Sequence, residues 1–146
     1  MVQPVGLTEE TRVYDRLFSV RPDLTIENVQ KTNLIIIPAV KGDMDEVISM
    51  NKGYLPWIAR QHKAGTEVAS LCVGAFLLAA TGLVKGRQCA THWLSANDFR
   101  RRPESIITKV DCFKAYNDSD SFVICRSSWA TQKSSCLGFT RFSSSL

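Results

Sequence analysis

The sequence predicts an α/β domain in which a mostly parallel β-sheet lies between helices. A continuous apolar run at residues 34–37 is typical of a parallel strand that is covered on both faces, and a mostly apolar run at residues 67–71 is predicted as a second buried strand. Helical segments follow these runs, and the order strand, helix, strand, helix, strand, helix indicates a parallel sheet flanked by helices. The length of 146 residues fits one domain with a sizeable core.

The beginning of the chain contains three candidate strands. Residues 2–7 are short and apolar enough for the first. Residues 24–29 are ambiguous, because Pro22 would place any strand there at an edge or at a start. The apolar run Leu34-Ile35-Ile36-Ile37 is the third candidate, and Pro38 ends it.

Two helices are predicted after this strand. Asp43, with Glu46 three residues later, resembles a capping box that opens the first helix. Gly53 and Pro56 divide the region, so that the second helix is predicted over residues 54–64.

The middle of the chain repeats the strand and helix pattern. Residues 67–71 are predicted as a buried strand, residues 72–74 as a tight turn and residues 75–81 as a short helix. A third strand is predicted over residues 88–91, followed by a helix over residues 95–102. The same pattern explains the long apolar stretch after residue 67 as a strand and a helix rather than a membrane span.

The last third of the chain has a different character. Residues 106–110 and 122–125 are its candidate strands, and clusters of serine make its end polar. We therefore divide the chain into a patterned domain over residues 1–105 and a poorly patterned segment over residues 106–146.

The charge of the chain argues against a dedicated nucleic-acid binder. The formal net charge is +4 and the isoelectric point is about 8.9. The one dense basic run, Arg100 to Arg102, fits the end of a helix, where cations interact favourably with the helix dipole.

The cysteine pattern favours a reducing compartment. The five cysteines are odd in number and contain no CxxC pair, so neither a disulfide framework nor a zinc site is predicted. The first residues lack the charged start and the apolar stretch of a signal peptide. We therefore expect a cytoplasmic protein without a metal, a cofactor or a membrane partner.

The turn at residues 72–74, named here the Cys72 elbow, is the sharpest chemical feature. A sharp turn displays the Cys72 thiol at the carboxyl end of the sheet, where open α/β folds place their ligands. The start of the following helix favours a thiolate, and the backbone N–H groups after the cysteine are suited to an oxyanion. Gly74 allows a neighbouring chain to pass close by.

His92 ends the next predicted strand and therefore belongs at the same edge of the sheet. A thiol and an imidazole within hydrogen-bonding reach form the minimal pair for nucleophilic catalysis, which makes Cys72 and His92 the candidate catalytic residues. The alternative is that Cys72 is a small buried side chain and His92 a hydrogen-bonded spectator. Cys89 is predicted to lie in the core, and His62 at the surface of its helix.

The stretch EVASLCVGAFLLAATGL at residues 67–83 carries a family resemblance, together with Ala-Thr-His-Trp at residues 90–93, residues 34–38 and Gly42-Asp43. It resembles the PfpI/ThiJ branch of the class I glutamine amidotransferase-like superfamily. The resemblance is strongest to the sensor domain that precedes the DNA-binding part of AraC-type transcriptional regulators. It covers about residues 3 to 103.

The resemblance implies a flavodoxin-like, three-layer sandwich that is often dimeric. It implies that Cys72 is the nucleophile-elbow cysteine, that His92 is its partner, and that the loop around Gly42 faces Cys72. The ligand-binding residues expected on this basis are Gly42, Asp43, Val73, Gly74 and Trp93.

Three departures from the family pattern shape the functional expectation. The chain begins at what resembles the second strand of the family, so that the glutamate beside the cysteine is missing. Trp93 stands where catalytic relatives usually have proline. After Pro103 neither the last family elements nor a helix-turn-helix module is recognisable, so we expect a sheet incomplete at both ends and no direct DNA binding.

Two functions follow from these observations. The resemblance and the missing acid favour a domain that senses a small molecule, related to AraC-type regulators and forming a homodimer. Cys72, His92 and the Cys72 elbow leave open a cysteine-dependent enzyme, either an amidase, a peptidase or a glyoxalase-like enzyme.

Overall fold

The computed structural model of the chain describes residues 1–13, 17–85, 89 and 91–102, together with a strand at Phe122–Cys125. These residues form seven strands and four α-helices, with 3₁₀ turns at Cys72–Gly74 and Trp93–Ser95. The strands are β1 (Val5–Gly6), β2 (Thr11–Val13), β3 (Phe18–Val20), β4 (Leu24–Thr25), β5 (Leu34–Ile37), β6 (Glu67–Leu71) and β7 (Phe122–Cys125). The helices are α1 (Met44–Met50), α2 (Tyr54–Lys63), α3 (Ala75–Ala80) and α4 (Ala96–Arg101).

The central sheet has the strand order β5-β6-β7. β5 and β6 run parallel, with Leu34 opposite Glu67 and Ile37 opposite Ser70. β7 runs antiparallel to β6 and begins with Phe122 opposite Leu71. The two parallel strands have the predicted bounds. The candidate strand at residues 122–125 is also confirmed, whereas residues 106–110 lie outside the described part and the division after residue 105 stays a prediction.

Two smaller sheets precede the central one. β1 and β4 form a parallel pair, so the first predicted strand and the ambiguous segment after Pro22 both contain a short strand. β2 and β3 form an antiparallel hairpin that the sequence pattern did not predict. The parallel pairs and the intervening helices confirm the α/β class.

The core lies between the central sheet and the helices. α3 contacts both β5 and β6, α2 contacts β6, and α1 packs against α3. Phe99 of α4 meets Phe76 of α3 edge to face, with ring centroids 4.8 Å apart. The buried apolar side chains of this core are Ile37, Val47, Trp57, Ile58, Val68, Ala75, Phe76, Leu77, Leu78, Ala79, Val84, Cys89 and Phe99.

β5 is covered on one face, which corrects the expectation of burial on both. Ile37 is buried, but Leu34 and Ile36 are 46% and 43% exposed. Successive side chains of a strand point to opposite faces, so the helices cover the face of Ile37 and leave that of Leu34 and Ile36 open.

α2 ends as predicted, with Gly65 in the left-handed region at φ 101°. However, the prediction that His62 lies at the surface is wrong, because His62 is 8% exposed. The segment before β5 covers the last turn of α2, where the Gln61 amide donates hydrogen bonds to the carbonyls of Val29 and Gln30.

None of the described helices combines the length and the apolar character that crossing a membrane requires. The apolar stretch after residue 67 is divided between β6, the Cys72 elbow and α3, as predicted.

Candidate functional site

Cys72 adopts a strained backbone conformation at the end of β6. Its φ of 51° lies in the left-handed region, and it is the one non-glycine residue with a positive φ in the described part of the chain. Such a conformation destabilises a residue with a Cβ atom by about 1–3 kcal/mol, and it persists only where the surrounding structure enforces it. The Cys72 thiol is free and partly exposed, as a displayed thiol should be.

Gly74 shows how tightly the Cys72 elbow is packed against β5. A Cβ atom at Gly74 would lie 2.5 Å from the carbonyl oxygen of Pro38 and 2.9 Å from that of Ile37. Only glycine permits this approach, which confirms the predicted role of Gly74. The carboxyl ends of β5 and β6 therefore meet directly beneath the thiol-bearing turn.

A second contact joins the Cys72 elbow to the segment before His92. Thr91 is fully buried, and its hydroxyl donates a hydrogen bond of 3.4 Å to the carbonyl oxygen of Cys72. Because Thr91 immediately precedes His92, this contact brings the start of residue 92 towards the elbow, whereas the pairing of the Cys72 thiol with the His92 ring stays a prediction. Of the third predicted strand, Cys89 forms an isolated β-bridge and is buried, as expected of a core residue, whereas Thr91 does not lie in a strand; residues 88 and 90 lie outside the described part.

The ring of His92 is partly buried and is oriented by its own backbone. The N–H of Leu94 donates to Nδ1 of His92 at 3.4 Å. This contact turns the Nδ1 side of the ring towards the 3₁₀ turn that follows His92.

The loop between β5 and α1 contributes the predicted residues Gly42 and Asp43. Gly42 has a φ of 125°, which favours glycine. Asp43 caps α1, since its Oδ1 accepts hydrogen bonds from the N–H groups of Asp45 and Glu46. The loop begins at the Pro38 carbonyl that touches Gly74, but a role for Gly42 and Asp43 in ligand binding stays a prediction.

The remaining predicted ligand-binding residues offer different groups. The side chain of Val73 packs against the core, and a role of this residue in ligand binding stays a prediction. Trp93 opens the 3₁₀ turn after His92, but its side chain lies outside the described residues.

Sequence reasoning missed two polar groups near the Cys72 elbow. The sequence pattern assigned Thr91 to a strand and gave it no role. Its position directly before His92 could have indicated that it lies near the Cys72 elbow. Ser70, two residues before Cys72, has a buried hydroxyl without a hydrogen-bond partner in the structure. Among the described residues, no group of three or more histidine, cysteine and acidic side chains is placed to hold a metal ion.

Comparison with known proteins gives a family match over most of the chain. The family model of the DJ-1/PfpI family matches residues 1–133. An uncharacterized protein of Archaeoglobus fulgidus is 33% identical over 91 residues, which are 61% of this chain and 52% of that protein. An uncharacterized protein in the cpoL 5' region of Streptomyces lividans is 51% identical over 36 residues, 25% of this chain and 26% of its own length. The chain thus spans about half or less of the curated relatives it matches.

Proposed function

Since this chain belongs to the DJ-1/PfpI family, with an α/β, flavodoxin-like fold, we propose that it binds a small molecule at the Cys72 elbow. In this proposal the chain is a sensing domain related to that of AraC-type transcriptional regulators. Binding, and not rapid turnover, is its biochemical activity.

The observation that carries the proposal is the φ of 51° at Cys72. Strained residues of this kind cluster at active sites and ligand sites, where the strain serves to orient a side chain. The thiol is partly exposed and stands at the carboxyl end of β6, the edge at which open α/β sheets bind their ligands.

One nitrogen of the His92 ring is engaged by its own backbone. The N–H of Leu94 donates to Nδ1 at 3.4 Å. A general base must present an unprotonated nitrogen to the thiol or to a water molecule, so the engagement of Nδ1 favours binding over turnover.

The chemistry of the site suggests the class of ligand. Backbone N–H groups of the Cys72 elbow are donors, so an amide, carbonyl or carboxylate oxygen is the complementary group. A small amide or carboxylate metabolite fits this description, and in this proposal it contacts the thiol of Cys72.

A binding screen tests the proposal. The purified chain is titrated with a panel of small amides, amino acids and short carboxylates by calorimetry, with product formation followed by mass spectrometry. We expect saturable binding without turnover, weakened by the substitution Cys72→Ala or His92→Asn. The control is Met50→Ala, because Met50 is an exposed residue of α1. Rapid conversion of the bound compound would overturn the proposal.

A cysteine-dependent hydrolase or glyoxalase-like enzyme is the second candidate, and the same strained thiol favours it. The test uses chromogenic amides, short peptides and methylglyoxal as substrates. Turnover that disappears in the Cys72→Ser variant would establish the enzyme and exclude a pure sensor. Saturable binding with no turnover of any of these substrates would exclude the enzyme.

A homodimer is part of the proposal, as is a cytoplasmic location. The exposed side chains of Leu34 and Ile36 on β5, and of Phe18 and Val20 on β3, provide apolar surface for self-association. Sedimentation velocity over a concentration series tests the dimer, and a monomer at every concentration contradicts it. Direct DNA binding by this chain is not proposed.

A further inference from the structure

We propose that Thr91 is a positioning residue for the Cys72 elbow. Its hydroxyl holds the Cys72 carbonyl and so keeps the thiol displayed, with residue 92 beside it. The inference rests on the proposed role of Cys72 as the ligand-binding thiol. Its test, however, measures the geometry of the elbow and not the binding of a ligand.

The positive φ of Cys72 requires an anchor beyond the turn itself. Within the turn, the N–H of Ala75 donates to the Cys72 carbonyl. That local hydrogen bond is common to 3₁₀ turns, whose residues ordinarily lie in the right-handed region. It therefore does not by itself select a φ of 51° at the first residue of the turn.

Thr91 supplies an anchor from 19 residues further along the chain. Its hydroxyl donates to the same carbonyl oxygen of Cys72. A trans peptide group is planar, so its C=O and N–H point in opposite directions. Holding the Cys72 carbonyl towards Thr91 therefore turns the N–H of Val73 away from Thr91, and this fixes the peptide plane that follows the thiol.

The burial of Thr91 indicates that its hydroxyl serves the hydrogen bond and not packing. The side chain is completely buried, and a buried hydroxyl is costly unless it is hydrogen-bonded. Valine would fill the same space without that requirement. His92 is the next residue, so the hydrogen bond of the Thr91 hydroxyl also restricts the position of the His92 backbone.

The experiment compares Thr91→Val, which keeps the shape and removes the hydroxyl, with Thr91→Ser, which restores it. The rate of Cys72 alkylation by iodoacetamide is followed in the folded protein by peptide mass spectrometry. At 3.4 Å the hydrogen bond is longer than an ordinary O–H···O bond, so its loss predicts labelling only about two- to threefold slower in T91V. In T91S we expect the unsubstituted rate.

Thr66→Val is the matched control. Thr66 is also completely buried, and its hydroxyl donates to the carbonyl of Thr32 at 2.7 Å. It precedes β6, at the opposite end of that strand from Cys72. T66V therefore removes the same kind of hydrogen bond and lowers the melting temperature, but should leave the labelling rate of Cys72 unchanged.

Three results would overturn the inference: labelling of T91V at the unsubstituted rate, equal slowing in T66V, or no recovery in T91S. If T91V does not fold, Thr91→Ala replaces it, with the same expected slowing. Slower labelling in T91V would support the positioning role even if the ligand screen finds no binding. Conversely, ligand binding with unchanged labelling in T91V would support the proposed function and refute the role of Thr91.

Discussion

Replacing Gly74 by alanine tests the packing on which the site depends. The new methyl group would lie 2.5 Å from the carbonyl oxygen of Pro38 and 2.9 Å from that of Ile37. Real Cβ contacts essentially never fall below 3.0 Å, so β5 and the Cys72 elbow must separate by about 0.5 Å or more. The obstructing atoms are backbone atoms at the end of a paired strand, which have little freedom to move.

The expected cost follows from two opposing effects. Overpacking of this kind costs about 1–3 kcal/mol. The backbone of Gly74 is right-handed, with φ −57° and ψ −17°, so alanine gains up to about 1 kcal/mol over glycine in conformational propensity. We expect a net loss of about 1–2 kcal/mol, and a chain of this length then melts about 2–8 °C lower.

Gly53→Ala is the control for this prediction. Gly53 has nearly the same backbone, with φ −64° and ψ −27°, and also precedes a helix. Its nearest neighbour is the Cδ2 atom of Leu7 at 3.0 Å, the mobile end of a side chain. Calorimetric melting of both variants is the assay, and G53A should melt at or above the unsubstituted temperature. If G74A is as stable as G53A, the close approach of β5 to the Cys72 elbow is refuted.

Substitutions at Cys72, Asp43 and Phe99 test the backbone strain, the cap of α1 and the core. Cys72→Gly should be about 1 kcal/mol more stable than Cys72→Ala in urea unfolding, because glycine tolerates a φ of 51°; equal stabilities would argue against the strain. Asp43→Ala should lose about 1 kcal/mol in the same assay, since it removes the oxygen that accepts two N–H groups of α1, whereas Asp43→Ser should lose less. Phe99→Ala should cost about 3–5 kcal/mol by creating a cavity beside Phe76, and a loss below about 1 kcal/mol in thermal unfolding would show that Phe99 is not a core residue.

The bounds of the central parallel strands were predictable because local chemistry marks them. An apolar run ended by Pro38 defines β5, and β6 follows Gly65, whose φ of 101° closes the preceding helix. Asp43 was predictable as a cap for the same reason, since a cap depends on residues two and three positions away.

Burial was less predictable, because it depends on what covers each face. Periodicity places His62 on a helix, but its burial depends on what packs against the last turn of α2, which Gln61 joins to the segment before β5. Likewise the apolar character of Leu34 and Ile36 indicates a strand, yet both side chains are exposed, because the described helices cover the opposite face of β5.

The Cys72 elbow shows the division most clearly. The order strand, cysteine, glycine, helix can be read from the sequence alone. It predicts that the thiol lies at the end of β6 and that Gly74 is needed for a close approach of the neighbouring chain. The hydrogen bond from Thr91 arises only in the folded chain, because it joins residues 19 positions apart. The φ of 51° at Cys72 also depends on the folded chain, because a strained conformation persists only where the surrounding structure enforces it. Local pattern therefore determined the elements and their order, and tertiary packing decided the conformation of the site.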